Sequence, residues 1–241
     1  MHMKPFLLSL ALCAAVSAQI EKPAVGWIID RNNDLRLASG IAASATLGDS
    51  ILRNLLALAC SEKLCIGKTE ETVLASSGHI TPAPEGPALF ALDGENAYVY
   101  FSSTNELKRW HAGEFSPIEF SPDGQVLAIR ANGGGIDYAI RRGEETFVEH
   151  LSFKDQSIAI TAALGKTGAV ALHQAGVLME TGGQLQLLRT DGFAITFEIS
   201  EVTALWQITA SDIEAATVNE RWIISLTPHR ETANLLPGVE K

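Results

Sequence analysis

The amino-acid sequence predicts an all-β fold. Three observations carry that expectation. Apolar runs of four to seven residues, rich in β-branched and aromatic side chains, recur along the chain. Pairs and triplets of Asn, Asp and Gly punctuate them, residues that accept the positive φ of tight hairpin turns. The spacing is short and fairly regular, as in an antiparallel sandwich, barrel or propeller.

In chain order, candidate strands Gly26–Asp30 and Leu35–Ala38 flank Asn32-Asn33-Asp34, and Leu55–Ala59 follows. Leu89–Leu92 and Ala97–Phe101 flank Asp93-Gly94, while Val126–Arg130 and Ile136–Ile140 flank Gly133-Gly134-Gly135. Thr146–His150, Ser157–Thr161, Ala169–His173, Val177–Glu180 and Leu185–Arg189 come next, with Gly182-Gly183 between the last two. Ala194–Ile199 follows Asp191-Gly192, and Ala204–Thr209 and Arg221–Leu226 complete the series. One segment competes. Asp49 to Leu64 spaces Ile51, Leu52, Leu55, Leu56 and Leu58 as an amphipathic helix would. Strand is the preferred reading there.

Cys60 and Cys65 bear on that choice. As a hairpin with a four-residue loop, Ser61 to Leu64, the segment sets the cysteines opposite each other, within reach of a disulfide. On a helix, five residues turn the chain by about 500°, and the two face different sides. A disulfide and two free thiols both remain open. C-x4-C supplies two of the four ligands a zinc site needs, and it is not the C-x-x-C redox pattern.

The chain opens MHMKPFLLSLALCAAVSA. Lys4, an apolar run from Phe6 to Val16 and small residues at Val16-Ser17-Ala18 have the order of a secretory signal peptide, with cleavage expected after Ala18. A membrane helix needs about 20 apolar residues, and this run is shorter. Lipid attachment at Cys13 is disfavoured by the bulk of Leu12 before it. The expected layout is a signal peptide over 1–18 and one domain over 19–241, periplasmic or secreted, with no transmembrane segment after cleavage. Export takes Cys60 and Cys65 to a compartment where disulfides persist.

Formal net charge is −10 for the 241 residues, and removal of Lys4 makes it −11. There is no basic run and no interleaving of aromatics with Arg, so no nucleic-acid partner is expected. The simplest consequence of the charge is solubility.

Repeats separate the β architectures. Phe90-Ala91-Leu92-Asp93-Gly94 recurs 30 residues on as Phe120-Ser121-Pro122-Asp123-Gly124, each followed by a strand pattern. Phe120 to Arg130, FSPDGQVLAIR, resembles the signature of WD40-like repeats of the TolB type. The resemblance implies a β-propeller in which Ser-Pro-Asp-Gly turns between the two inner strands of a blade. It covers 11 residues closely, and the Phe90 copy lacks the Ser-Pro. The Gly26-Trp27 start and the Arg230 to Gly238 end also resemble uncharacterised exported bacterial propellers. At about 40–45 residues per blade, 223 residues allow five or six short four-stranded blades. The 30-residue offset is short for a blade, so the two Asp-Gly turns need not join equivalent strands. A half-unit at the N-terminus suggests that N-terminal strands complete the last blade. The competing architecture is a pair of β-sandwiches split at Gly78 to Pro87, read otherwise as a long inter-blade loop.

No catalytic, cofactor or metal constellation stands out, and no cofactor is expected. His79, His111, His150, His173 and His229 lie in no zinc-ligand spacing and read as surface residues of turns and strands. Gly133-Gly134-Gly135 precedes a strand pattern, whereas a phosphate loop precedes a helix. Gly165-Lys166-Thr167 lacks the earlier glycine of a Walker A motif. Trp27, Trp110, Trp206 and Trp222 are candidates either for packing between blades or for recognition. Trp110, in Lys108-Arg109-Trp110-His111, is the candidate recognition aromatic, its polar neighbours suggesting an exposed rim. The functional expectation is a non-catalytic binding or scaffolding module with a protein, peptide or carbohydrate partner. The alternative is a lyase- or glycosidase-type enzyme using carboxylates at the central channel.

Overall fold

The computed structural model describes residues 24–30, 32–40 and 45–236. The expected signal segment with Cys13, and the last two residues of the Arg230 to Gly238 stretch, lie outside that range. The described chain is β-structure without a helix, Asp49 to Leu64 included.

Among the described residues, twenty-three strands form six antiparallel sheets. The first comprises β1 (Ala24–Ile29), β2 (Leu35–Ser39) and β3 (Thr46–Leu52). The second comprises β4 (Ala57–Cys60), β5 (Cys65–Lys68), β6 (Thr72–Ala75) and β7 (Ile80–Pro82). The third holds β8 (Ala88–Asp93), β9 (Asn96–Phe101), β10 (Glu106–His111) and β11 (Glu114–Ile118). The fourth holds β12 (Gln125–Asn132), β13 (Gly135–Arg142), β14 (Glu145–Ser152) and β15 (Ile158–Gly165). The fifth is β16 (Val170–His173), β17 (Gly176–Thr181), β18 (Gln184–Arg189) and β19 (Ala194–Ser200). The sixth is β20 (Ala204–Gln207), β21 (Asp212–Ala216), β22 (Arg221–Ser225) and β23 (Thr232–Leu235).

Every strand pairs with its sequence neighbour, so short turns suffice throughout. The first turn is typical of the polar punctuation. Asn33 takes φ 60, and Asp30 Oδ1 accepts the N–H groups of Asn32 and Asp34. Burial falls from the middle of each blade outward. The first six residues of β13 are buried, whereas β15 is mostly exposed.

The sheets are the blades of a six-bladed β-propeller. Apolar side chains fill the spaces between blades. Phe120 stands edge-on to Tyr100 of the third blade and Tyr138 of the fourth, ring centroids 5.8 and 5.0 Å away. The inner strands β4, β8, β12, β16 and β20 pack side by side around the axis, and β20 closes on β4. The first blade sits back from that ring, in the seam between the sixth and second blades. Ile28, Ala38 and Ala45 pack there with Ile208, Ile223 and Leu236, and Ile29 packs with Leu55 and Leu58.

Two parts of the expected architecture are corrected. The sixth blade has four strands from the chain's own C-terminal part, and among the described residues the N-terminal strands pair with no other blade; they make a three-stranded blade of their own. Gly78 to Pro87 is not all loop, because its backbone pairs with β6 as β7.

Candidate functional site

The repeat motif residues serve the fold. Asp93-Gly94 turns between β8 and β9, the two inner strands of the third blade. Asp123-Gly124 lies one position earlier in its blade, before the innermost strand β12, so the expected placement between inner strands is corrected. Phe120 anchors the aromatic stack, and Phe90 packs at the interface of the second and third blades. Pro122 and Ser121 lead the chain from β11 into β12. Asp123 accepts from Arg142 Nε at 2.6 Å, and Arg142 also donates to Glu149, whose Oε2 accepts the Tyr138 hydroxyl at 2.6 Å. Arg142 and the Tyr138 hydroxyl outweigh the effect of burial and hold the pKa of Glu149 below its ordinary value.

Trp110 is not on a rim. It is 2 % exposed, and its indole N–H donates to Thr81 Oγ1 at 3.1 Å in the neighbouring blade. Its polar sequence neighbours point elsewhere, Arg109 reaching Asn96. His173 also departs from the surface reading. It is 3 % exposed, its Nδ1 accepts the Ala175 N–H, and its Nε2 lies 2.7 Å from the Ala210 carbonyl. Burial lowers its pKa below the ordinary value. His150 Nδ1 sits 2.9 Å from Asp137 Oδ1, where Asn132 and Arg130 also converge. Burial alone would raise the pKa of Asp137, but these three donors hold it down. Cys60 and Cys65 face each other across the β4–β5 hairpin, Cα atoms 4.0 Å apart, within disulfide reach.

A channel runs along the axis. Each inner strand is paired on one side only, and its free edge turns to a central channel of 630 Å³. The walls are small and aliphatic: Leu58 of β4, Leu89 of β8, Ala128 of β12, Ala171 of β16 and Leu205 of β20. The lining holds no Asp or Glu among the described residues, and its one charged side chain is Arg141. Arg141 stands at the end of β13. Its Nη2 donates to the carbonyls of Thr167 and Gly168 at 2.7 and 2.9 Å, and no carboxylate pairs with it among the described residues. Trp206 lines the same channel, with the Arg221 guanidinium stacked on it 5.1 Å from the ring centroid. Nothing in the sequence flagged Arg141, because the channel is assembled from strands far apart in the chain.

A blade ring around an open axis defines the class, a β-propeller. Among solved structures the chain is similar to one from a crystallised nidogen–laminin complex, with a TM-score of 0.61 and 13 % identity over 87 % of this chain and 92 % of that one. It is also similar to PorZ, an essential bacterial surface component of the type-IX secretion system of Porphyromonas gingivalis, with a TM-score of 0.52 and 12 % identity. That match covers 89 % of this chain and 31 % of PorZ. Identities this low establish the fold alone. No protein-family model matches the sequence, and no curated protein matches it.

Proposed function

We propose that the chain is an exported, non-catalytic binding propeller that takes a peptide or protein segment at the Arg141 mouth of its channel. One observation carries this reading: an open apolar channel whose single charge, among the described residues, is a guanidinium with no acidic partner there. An apolar side chain suits the walls. The free strand edges offer N–H and C=O groups to an extended backbone. Arg141, its Nη2 held by two carbonyls, keeps its Nε and Nη1 protons for a carboxylate. Carbohydrate would ask for more polar walls. Met1 to Ala18 supports export, and the likeness to PorZ, a bacterial surface component, is in keeping with that setting. Phe120 to Gly124 supports grouping the blades with TolB-type WD40-like repeats.

Peptide display against immobilised residues 19–241 tests the reading. Peptides joining an apolar residue to an acidic one, or to a free C-terminus, should be enriched. Arg141→Ala should weaken them about tenfold or more, as expected for a lost charged hydrogen bond. Thr203→Glu, which adds a carboxylate to the same mouth, should do likewise with the melting temperature unchanged. Binders indifferent to both substitutions, or turnover of a polymer substrate, would overturn the proposal.

A further inference from the structure

Side chains of facing strands fill the space between two blades, and strands poor in bulky residues leave part of it open. Tyr100, Phe120 and Tyr138 fill the space between the third and fourth blades. No strand of the second blade carries an aromatic residue, and the strands of the first bring Trp27 alone. A slot of 420 Å³ lies between these two blades. One wall runs from Leu58 of β4 past Gly67 of β5 and Leu74 of β6 to Ile80 of β7, and Trp27 and Leu52 stand on the other. Three strand spacings of about 4.8 Å make it about 14 Å long. Ile51 and Ile80, at its perimeter end, are 61 % and 68 % exposed.

We infer that this slot binds a free medium-chain alkyl carboxylate, its chain laid inward and its head at His79. The occupant follows from what the lining holds and lacks. Among the described residues it has no Asp, Glu, Lys or Arg. Apolar walls offer water no partners and favour an apolar guest. A peptide would bring amides that need partners, and the strand edges at the rim offer poor ones. β3 pairs irregularly with β2, and β7 is three residues long and ends in Pro82. An alkyl chain has no polar group along its length, and an elongated slot suits it better than a compact ring system. The one ionisable side chain of the lining is His79, exposed just before β7. Ser77 Oγ lies 2.9 Å from its Nδ1, and no described residue takes its Nε2. A carboxylate accepts a hydrogen bond from that nitrogen. A chain at −10 is repelled by an anionic bilayer, so the guest is a free acid rather than the tail of a membrane lipid.

Isothermal titration calorimetry of residues 19–241 with hexanoate, octanoate and decanoate tests this. The dissociation constant should fall about fourfold for each added methylene, as expected for burial of a CH2 group. Ile80→Glu, at an exposed position, sets a second carboxylate beside the head and should weaken decanoate about tenfold or more, with the melting temperature unchanged. His79→Ala should weaken decanoate about tenfold, the loss of one hydrogen bond to a charged group, and leave decanol unchanged. An absence of binding, an affinity indifferent to chain length, or an Ile80→Glu or His79→Ala variant that binds decanoate as the native chain does would overturn the inference. So would loss of decanoate binding in Arg141→Ala, which would put the guest in the axial channel instead.

Discussion

Gly94 and Gly124 look equivalent in the sequence, each following an Asp in the repeated motif, yet they are glycine for different reasons. Gly94 takes φ +61 in open space. At Gly124 a Cβ would overlap the Arg141 carbonyl oxygen of the paired strand. Asn tolerates the left-handed region, so Gly94→Asn should change stability by about 0.5 kcal/mol or less. Gly124→Asn forces the strands apart and should cost about 1–3 kcal/mol. Urea midpoints of the two variants check the contrast. Glu214 was not visible in the sequence at all. It is fully buried on β21, its Oε2 accepts the Ile29 N–H at 3.1 Å, and Arg221 Nη1 lies 3.7 Å from its Oε1. Burial pushes its pKa up to about 7; Arg221 and Ile29 pull against that, and Asp30 adds to it. A carboxyl raised on folding binds a proton that the unfolded chain releases. Its contribution is therefore full below its ordinary pKa of 4.5 and fades as pH rises through about 7. His173, lowered on folding, works the other way below its ordinary 6.5. The comparison with Glu214→Gln removes that background. Native protein should lose up to about 3 kcal/mol relative to the variant between pH 5 and 8, read from denaturant midpoints at each pH.

Strands and hairpins were the legible level. The Asp93-Gly94, Gly133 to Gly135 and Gly182-Gly183 turns all join adjacent strands where the turn residues place them. The β4–β5 hairpin has the four-residue loop that sets Cys60 opposite Cys65. We propose that this pair is oxidised in the exported protein. Its short loop should contribute about 2 kcal/mol, lost in a Cys60→Ala/Cys65→Ala double variant; intact mass of secreted material finding two free thiols would refute it. Trp110 was misread because a strand's neighbours in sequence say little about the blade that covers it. Its partner Thr81 lies 29 positions away, in a different sheet. Blade spacing was equally hidden. The inner strands begin at 57, 88, 125, 170 and 204, intervals too uneven for a fixed repeat length to reveal.

At the scale of the molecule, propeller architecture rested on one 11-residue match and the rhythm of turns, and both led to the right class. The seam was beyond their reach. Strand periodicity encodes pairing between neighbours, and the first and last blades do not pair with each other. They meet through side chains, with two hydrogen bonds, Ile29 N–H to Glu214 and Arg221 to the Asp30 carbonyl, joining residues 185 and 191 positions apart. Burial without periodic pairing leaves no trace in a strand pattern. The channel was hidden for the same reason, being the sum of five strand edges from five blades. The seam also makes this ring a bracelet fastened by a clasp rather than one welded shut. Ile28 and Leu236 lie in one apolar cluster at that clasp, so tension between the two ends of the described chain loads it directly. Side-chain contacts part before ladders of backbone hydrogen bonds do. A tug on the ends unfastens the first blade while the five-strand ring behind it still holds its shape.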